Sequence, residues 1–169
     1  MTRQEALKDM YSIGDKVVYP MYGAGIIESI EEQEFQGEVN KYYVMKMPMG
    51  DMKVMIPMLN AEKIGIRDVI DDKEADKVLG EFAALETECE LSWNKRYREN
   101  MLKLRGGDIY EVARVVKMLM CRDRSKGLST GEKKMLTNAK QILVSELVLA
   151  KNMAQEEIEG MFEAALLVE

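Results

Sequence analysis

Short apolar runs divided by turn residues occupy the first third of the chain, a pattern typical of β-strands. The runs are rich in β-branched or aromatic residues, and turn signals fall at Gly23 and Gly25, at Gln36 and Gly37, and at residues 48–51. The predicted strands span residues 16–20, 24–30, 41–47 and 52–56. Four or five short strands within about fifty residues predict a small barrel of the SH3 or Tudor type, closed to limit exposed edges.

A helical period replaces the strand pattern from about residue 72 onward. Ser92 is predicted as an N-cap, and the pairs Asp108 with Glu111 and Ser129 with Glu132 have the spacing of capping boxes. The predicted helices cover residues 74–88, 92–104, 108–126, 129–152 and 154–167.

The fold class predicted from these two patterns is α+β, with an N-terminal small Tudor/SH3-like β-barrel followed by a C-terminal all-α helical domain. We expect residues 1–9 to be an N-terminal extension, residues 10–68 the barrel and residues 69–169 the helical domain. The boundary is expected near residues 65–72, where the period changes.

The charge is distributed unevenly along the chain, although its net value is −6. Residues 90–151 carry 14 Lys and Arg against 7 Asp and Glu, whereas the remaining residues carry 10 against 23. Such asymmetry favours an anionic partner, such as a nucleic acid, for the helical part alone. Helical surfaces also carry many lysines for solubility, so the count by itself leaves both interpretations open.

Several kinds of enzyme chemistry lack their usual residues. The chain has no histidine, which removes the commonest general base and metal ligand. Cys89 and Cys121 are too few for a structural zinc site, and no phosphate-binding or dinucleotide-binding glycine motif occurs. We therefore expect no enzyme activity, no metal and no cofactor. Widely spaced cysteines, no long apolar run and no signal-like start predict a cytoplasmic protein without a membrane segment.

The only tryptophan, Trp93, is followed at once by basic residues at a predicted helix start. Because Trp93, Tyr97 and Met101 share a helical face, the periodicity favours a core position for the ring. The alternative is functional, since an aromatic ring among cations can contact unstacked bases while the cations hold phosphates.

Two further surfaces are candidates for binding. Lys133, Lys134 and Lys140 lie along the predicted long helix, and further basic residues lie in the turn before it. Together they could contact a DNA backbone without reading its sequence. In the barrel, an exposed sheet edge could accept a strand from a partner. The methionines between residues 45 and 58 suit an adaptable protein contact.

Ordered motifs in both halves resemble one family of bacterial transcription regulators. The stretch from Ile13 to Gly25, with Gly14-Asp15-Lys16 and Gly23-Ala24-Gly25 within it, resembles the opening of CarD/CdnL proteins and the polymerase-binding module of transcription-repair coupling factors. Residues 93–98, 128–136 and 139–147 resemble the helical domain of CarD/CdnL proteins, which the coupling factors lack. The resemblance covers about residues 10–151, and the acidic tail beyond Lys151 has little recognisable counterpart.

The resemblance implies a partner for each half. The Tudor-like domain would bind the β subunit of bacterial RNA polymerase by extending a sheet, and the helical domain would meet promoter DNA at the upstream edge of the bubble. Trp93 matches a tryptophan that wedges into the minor groove and stabilises the open promoter, without sequence-specific reading. An interaction adaptor that docks on polymerase without acting on promoter opening is the alternative.

The protein is expected to act as a monomer at the nucleoid. The site residues that the resemblance implies fall into two groups. The DNA-binding candidates are Trp93, Lys95, Arg96, Tyr97, Arg98, Lys133, Lys134 and Lys140. The polymerase-binding candidates are Gln33, Phe35, Lys53 and Met55. Some relatives carry arginine where this chain has Gln33 and Met55, so the polymerase contact is expected to be less ionic here.

Overall fold

A five-stranded antiparallel sheet forms the N-terminal half of the computed structural model, which describes residues 10–86 and 92–167. Its strands are β1 (Lys16–Tyr19), β2 (Gly23–Phe35), β3 (Glu38–Lys46), β4 (Lys53–Pro57) and β5 (Arg67–Asp68). The hydrogen-bonded order is β4-β3-β2-β1-β5. β4 and β5 therefore lie at the ends of this ladder, so the sheet keeps edges that a closed barrel would lack.

The β2–β3 hairpin is much longer than the sequence pattern predicted. Both strands continue through the acidic stretch around residue 34, and Gln36 and Gly37 form the turn between them. Both turn residues have positive φ, at 51° and 80°, which is the backbone that a two-residue type I′ turn requires. The far end of the hairpin extends beyond the core, so neither of its faces shows the apolar alternation that identifies a strand.

Helices make up most of the rest of the described chain. A 3-10 turn at Met58–Asn60 and the short α1 (Ala61–Ile64) lead from β4 to β5. The larger helices are α2 (Asp72–Ala84), α3 (Trp93–Gly106), α4 (Ile109–Ser125), α5 (Thr130–Lys151) and α6 (Gln155–Leu167). These agree with the predicted helices to within a few residues, while the predicted extension at residues 1–9, Cys89 and the last residues of the first predicted helix lie outside the described residues.

Each half has its own core. Val17, Ile27, Tyr43, Met45 and Ile56 are among the buried residues of the sheet core. The larger helical core is centred on α4 and α5. The last strand ends at Asp68 and α2 begins at Asp72, which is where the sequence period changes.

The two halves meet where α5 crosses β2. The Ala24 backbone N–H donates to Ser145 Oγ at 2.8 Å, and both groups are buried. Gly23 approaches the helix so closely that an added Cβ would lie 2.6 Å from the same Ser145 oxygen. Among the described residues, no helix combines the length and apolarity needed to cross a bilayer.

Candidate nucleic-acid interface

The indole of Trp93 lies on the protein surface at the first residue of α3. Its side chain is 44% exposed, and its ring stacks on that of Tyr97 with centroids 5.1 Å apart and planes inclined by 21°. Its Nε1–H donates to Ser129 Oγ at 3.0 Å. The core position that periodicity favoured is therefore wrong, because the fully buried face of α3 consists of Arg96, Asn100 and Leu104 instead.

Arg96 does not reach the surface, although the basic run predicted it as a DNA contact. Its side chain is 4% exposed, and its Nε and Nη2 atoms donate to the two carboxylate oxygens of Glu132 at 2.8 and 3.1 Å. Glu132 is 2% exposed. The guanidinium of Arg96 keeps the pKa of Glu132 below its ordinary value, even though burial acts in the opposite direction. A guanidinium held in this way joins α3 to α5 and is not available to a phosphate.

Lys95 and Arg98 point away from the buried face that contains Arg96, and both side chains are exposed. Together with Trp93, Tyr97 and Leu102, Arg98 lines a shallow groove along α3. No ion pair within the described parts of the chain involves Lys95 or Arg98. Their charges are therefore free to meet an anion approaching the ring.

The first turns of α5 extend this surface. A Cβ built on Gly131 would lie 3.6 Å from the Tyr97 ring and 3.8 Å from the Trp93 ring, so the start of α5 adjoins the stacked pair. Lys133 and Lys134 are exposed one turn further on. The N-terminus of a helix also favours anions through its free N–H groups and dipole. An exposed aromatic ring, a helix start and several cations thus share one surface.

Lys140 lies apart from this cluster. It is seven residues beyond Lys133, about 10 Å along the helix. Its side chain is half-buried in a groove with Met49, Gln155 and Glu159. A contact from Lys140 to the same DNA segment would therefore need the duplex to follow α5 for two turns.

The four polymerase-binding candidates share one face of the sheet. Gln33, Phe35, Lys53 and Met55 pair with positions 40, 38, 46 and 44 of β3 respectively. All four of these β3 positions are even-numbered, and alternate residues of a strand point to one side. The core residues Tyr43 and Met45 occupy the opposite face.

Contacts and exposure on this outer face differ among the candidates. Gln33 Nε2 lies 3.7 Å from Met55 Sδ across the sheet. Lys53 pairs with Glu28 at 2.9 Å. Phe35 is 70% exposed at the end of the hairpin, and Lys53 and Met55 belong to the edge strand β4. An apolar and weakly ionic face therefore adjoins a strand edge.

Sequence reasoning missed the residues that hold the indole. Ser129 and Glu132 were identified only as a local capping box, in which the glutamate would return to the backbone of the serine. Ser129 does accept the N–H of Glu132 at 3.2 Å. The Glu132 carboxylate, however, binds Arg96 of α3. No spacing rule within one helix could have indicated this contact between helices.

Both halves of the chain match models of known protein families. The model for the CarD-like/TRCF RID domain matches residues 11–70, and the model for the CarD C-terminal domain matches residues 77–163. The chain is also 43% identical over 151 residues to "Putative transcription factor YdeB" of Bacillus subtilis (strain 168), an alignment that covers 89% of this chain and 99% of that protein. The chain belongs to the CarD family.

Each of the two matched domains contains one of the candidate surfaces. The family is one of transcription factors, and the RID domain that contains the outer sheet face implies an interaction with RNA polymerase. The C-terminal match contains Trp93 and the cations around it. It also reaches residue 163, so most of α6 does have a counterpart in the family, which corrects the expectation drawn from the sequence.

Proposed function

We propose that this CarD-family protein binds the β subunit of RNA polymerase through its sheet and stabilises the open promoter complex with Trp93. The observation that carries the proposal is the exposed indole, which Tyr97 and Ser129 hold in a fixed orientation beside Arg98 and the start of α5. An aromatic side chain can enter a distorted, partly unstacked step of the minor groove at lower cost than an intact duplex step. The distorted upstream edge of a transcription bubble offers such a step.

The exposed cations of α3 and α5 supply affinity without sequence reading. Lys95, Arg98, Lys133 and Lys134 are exposed and can contact phosphates, which position a protein on a duplex but carry no base information. Arg96 is left out of this set because it is buried against Glu132. DNA binding is therefore expected to be weak, salt-dependent and indifferent to sequence.

The sheet supplies the second contact. β4 is an edge strand of five residues, and an extended segment of the β subunit would add to it by main-chain hydrogen bonds. Phe35, Gln33 and Met55 lie on the face beside that edge. Once the sheet is docked, the indole is held at high effective concentration near the promoter, so neither contact has to be strong alone. The protein would act as a monomer at the nucleoid, without a cofactor.

The lifetime of a polymerase–promoter open complex tests this function. Wild-type protein should lengthen the lifetime, and Trp93→Ala should shorten it again roughly fivefold or more, since stacking of one aromatic ring on a base is worth about 1–3 kcal/mol. Met161→Ala is the matched control, because Met161 is an exposed apolar side chain on α6 away from the cluster. Binding to isolated β subunit should be the same for all three proteins.

Two results would contradict the proposal. One is a Trp93→Ala variant that stabilises the open complex as well as wild type does. The other is a wild-type protein that binds polymerase but leaves the lifetime unchanged, which would favour the interaction adaptor instead.

A further inference from the structure

The exposed indole is connected to a chain of hydrogen bonds that crosses between two helices. Trp93 on α3 donates to Ser129, the N-cap of α5, at 3.0 Å. Ser129 Oγ lies 3.4 Å from Glu132 Oε1. The Glu132 carboxylate in turn accepts two bonds from Arg96, three residues after Trp93 on α3. The contacts form a closed loop that begins and ends on the same helix.

The hydroxyl of Ser129 is used to capacity in this loop. A serine hydroxyl has one donor proton and two acceptor lone pairs. Its oxygen accepts the indole N–H and the backbone N–H of Glu132, and its proton is directed at the Glu132 carboxylate. The hydroxyl therefore caps a helix and anchors a side chain of another helix at once.

An exposed tryptophan held in this way differs from an ordinary surface side chain. The stack on Tyr97 fixes the plane of the ring, and the bond to Ser129 fixes which edge of the ring faces inward. The opposite edge is then left for solvent. Ordering a free side chain costs about 0.5–1.5 kcal/mol when it binds, and this cost is met in advance when the protein itself holds the ring.

We propose that Ser129 is a positioning residue for the indole, and that the buried Arg96–Glu132 pair keeps Ser129 in register with α3. The inference rests on the proposed function, because the positioned ring is the one that would enter the promoter. Its partners are all supplied by the protein, so the orientation exists before DNA is bound.

Ser129→Ala in the full-length chain removes the anchor, and two other variants control for its second role. Ser129→Thr keeps a hydroxyl and remains a good N-cap. Asp71→Ala removes the N-cap of α2, which accepts the Glu74 N–H at 2.8 Å and makes no hydrogen bond to the indole, and so reports the effect of cap loss alone. The chain has a single tryptophan, so its indole N–H gives one signal in a proton–nitrogen correlation spectrum.

Ser129→Ala should speed the exchange of the indole proton with solvent in the free protein. It should also shorten the open-complex lifetime by roughly two- to tenfold, the range that corresponds to one net hydrogen bond. Ser129→Thr should restore both readouts, and Asp71→Ala should change neither although it lowers thermal stability.

The two readouts separate the possible failures. An indole exchange rate that is the same in Ser129→Ala and wild type overturns the positioning role, whatever the lifetime. Faster exchange with a wild-type lifetime overturns its importance for promoter opening, provided that Trp93→Ala shortens the lifetime. If Trp93→Ala has no effect on the lifetime, the proposed function itself is wrong.

Discussion

Arg96 and its neighbour Lys95 illustrate how one turn of helix separates two roles within a single basic run. Arg96 falls on the face that it shares with Asn100 and Leu104, which packs inward. Lys95 is exposed. Both residues carry a positive charge, so the sequence predicted both as DNA contacts. Arg96 is buried and contributes to the folding of the helical half, whereas Lys95 remains accessible to a partner.

Replacement of each residue should therefore produce different defects. Arg96→Leu leaves the Glu132 carboxylate buried without this partner, which should lower the free energy of unfolding by about 3–5 kcal/mol. Lys95→Glu should leave that free energy nearly unchanged, while the dependence of DNA affinity on salt becomes shallower by about one unit for the lost phosphate contact. Urea unfolding and DNA binding at several salt concentrations measure the two effects. A stable Arg96→Leu variant with a shallower salt dependence would reverse the assignment.

Local signals predicted the helices better than the strands. Asp108 and Ser129 cap α4 and α5 as expected, accepting the N–H groups of Tyr110 and Glu132, because an N-cap bond spans only two or three residues. Ser92 precedes α3 as predicted but makes no side-chain cap bond. The β2–β3 hairpin was underestimated because its outer half buries little and so shows no alternation.

Contacts made by buried charges were beyond sequence reasoning for a related reason. Lys117 is 5% exposed within α4 and donates to the carbonyl oxygens of Phe82 and Ala83 at the end of α2. It thereby satisfies carbonyl groups that have no partner within their own helix. Whether a lysine in a helix is buried in such a role depends on the packing of the whole half. The surface position of Trp93 was unpredictable on the same grounds.

The β2–β3 hairpin offers a test in which two exposed apolar residues lie on opposite faces. Phe35 is 70% exposed on the outer face, and Val39 is 52% exposed on the other. Phe35→Ala should weaken binding to isolated β subunit by several-fold, because an apolar contact at the docking face is lost. Val39→Ala is the matched control and should bind as wild type does. Equal losses in a pull-down or titration would place the contact elsewhere on the hairpin.

Arg67 connects the sheet to the helical half as a whole. From the edge strand β5 it donates to both carboxylate oxygens of Glu146 on α5, each at 2.7 Å, and to the carbonyl of Gly107 at the end of α3. The first residues of α3 and α5 surround the indole. The Arg67 side chain therefore joins these two helices near their opposite ends. The side chain of Glu146 is fully buried and also accepts the Ile70 N–H at 3.1 Å.

We expect the Arg67–Glu146 ion pair to matter more for promoter opening than for binding to the β subunit or to DNA alone. The double variant Arg67→Met with Glu146→Gln removes the ion pair without leaving a buried charge unpaired. Affinities for isolated β subunit and for DNA should remain close to wild type. The open-complex lifetime should fall, because the indole is no longer presented at a fixed angle to the docked sheet.

Lys151→Met is the control for this experiment. Lys151 pairs with Asp72 and Asp76, so its loss removes two ion pairs that lie wholly within the helical half. The variant should retain the wild-type lifetime. If the double variant also retains it, the two halves need not be coupled rigidly for function.

Gly23 limits which substitutions this molecule can accept during evolution. Its φ of 120° suits glycine, and even one methyl group there would meet the hydroxyl of Ser145. A descendant that gains a side chain at this position would have to displace the Ser145 hydroxyl, which would disturb the hydrogen bond from Ala24 that joins β2 to α5. The packing of the sheet against the helical half therefore depends on a glycine at this position.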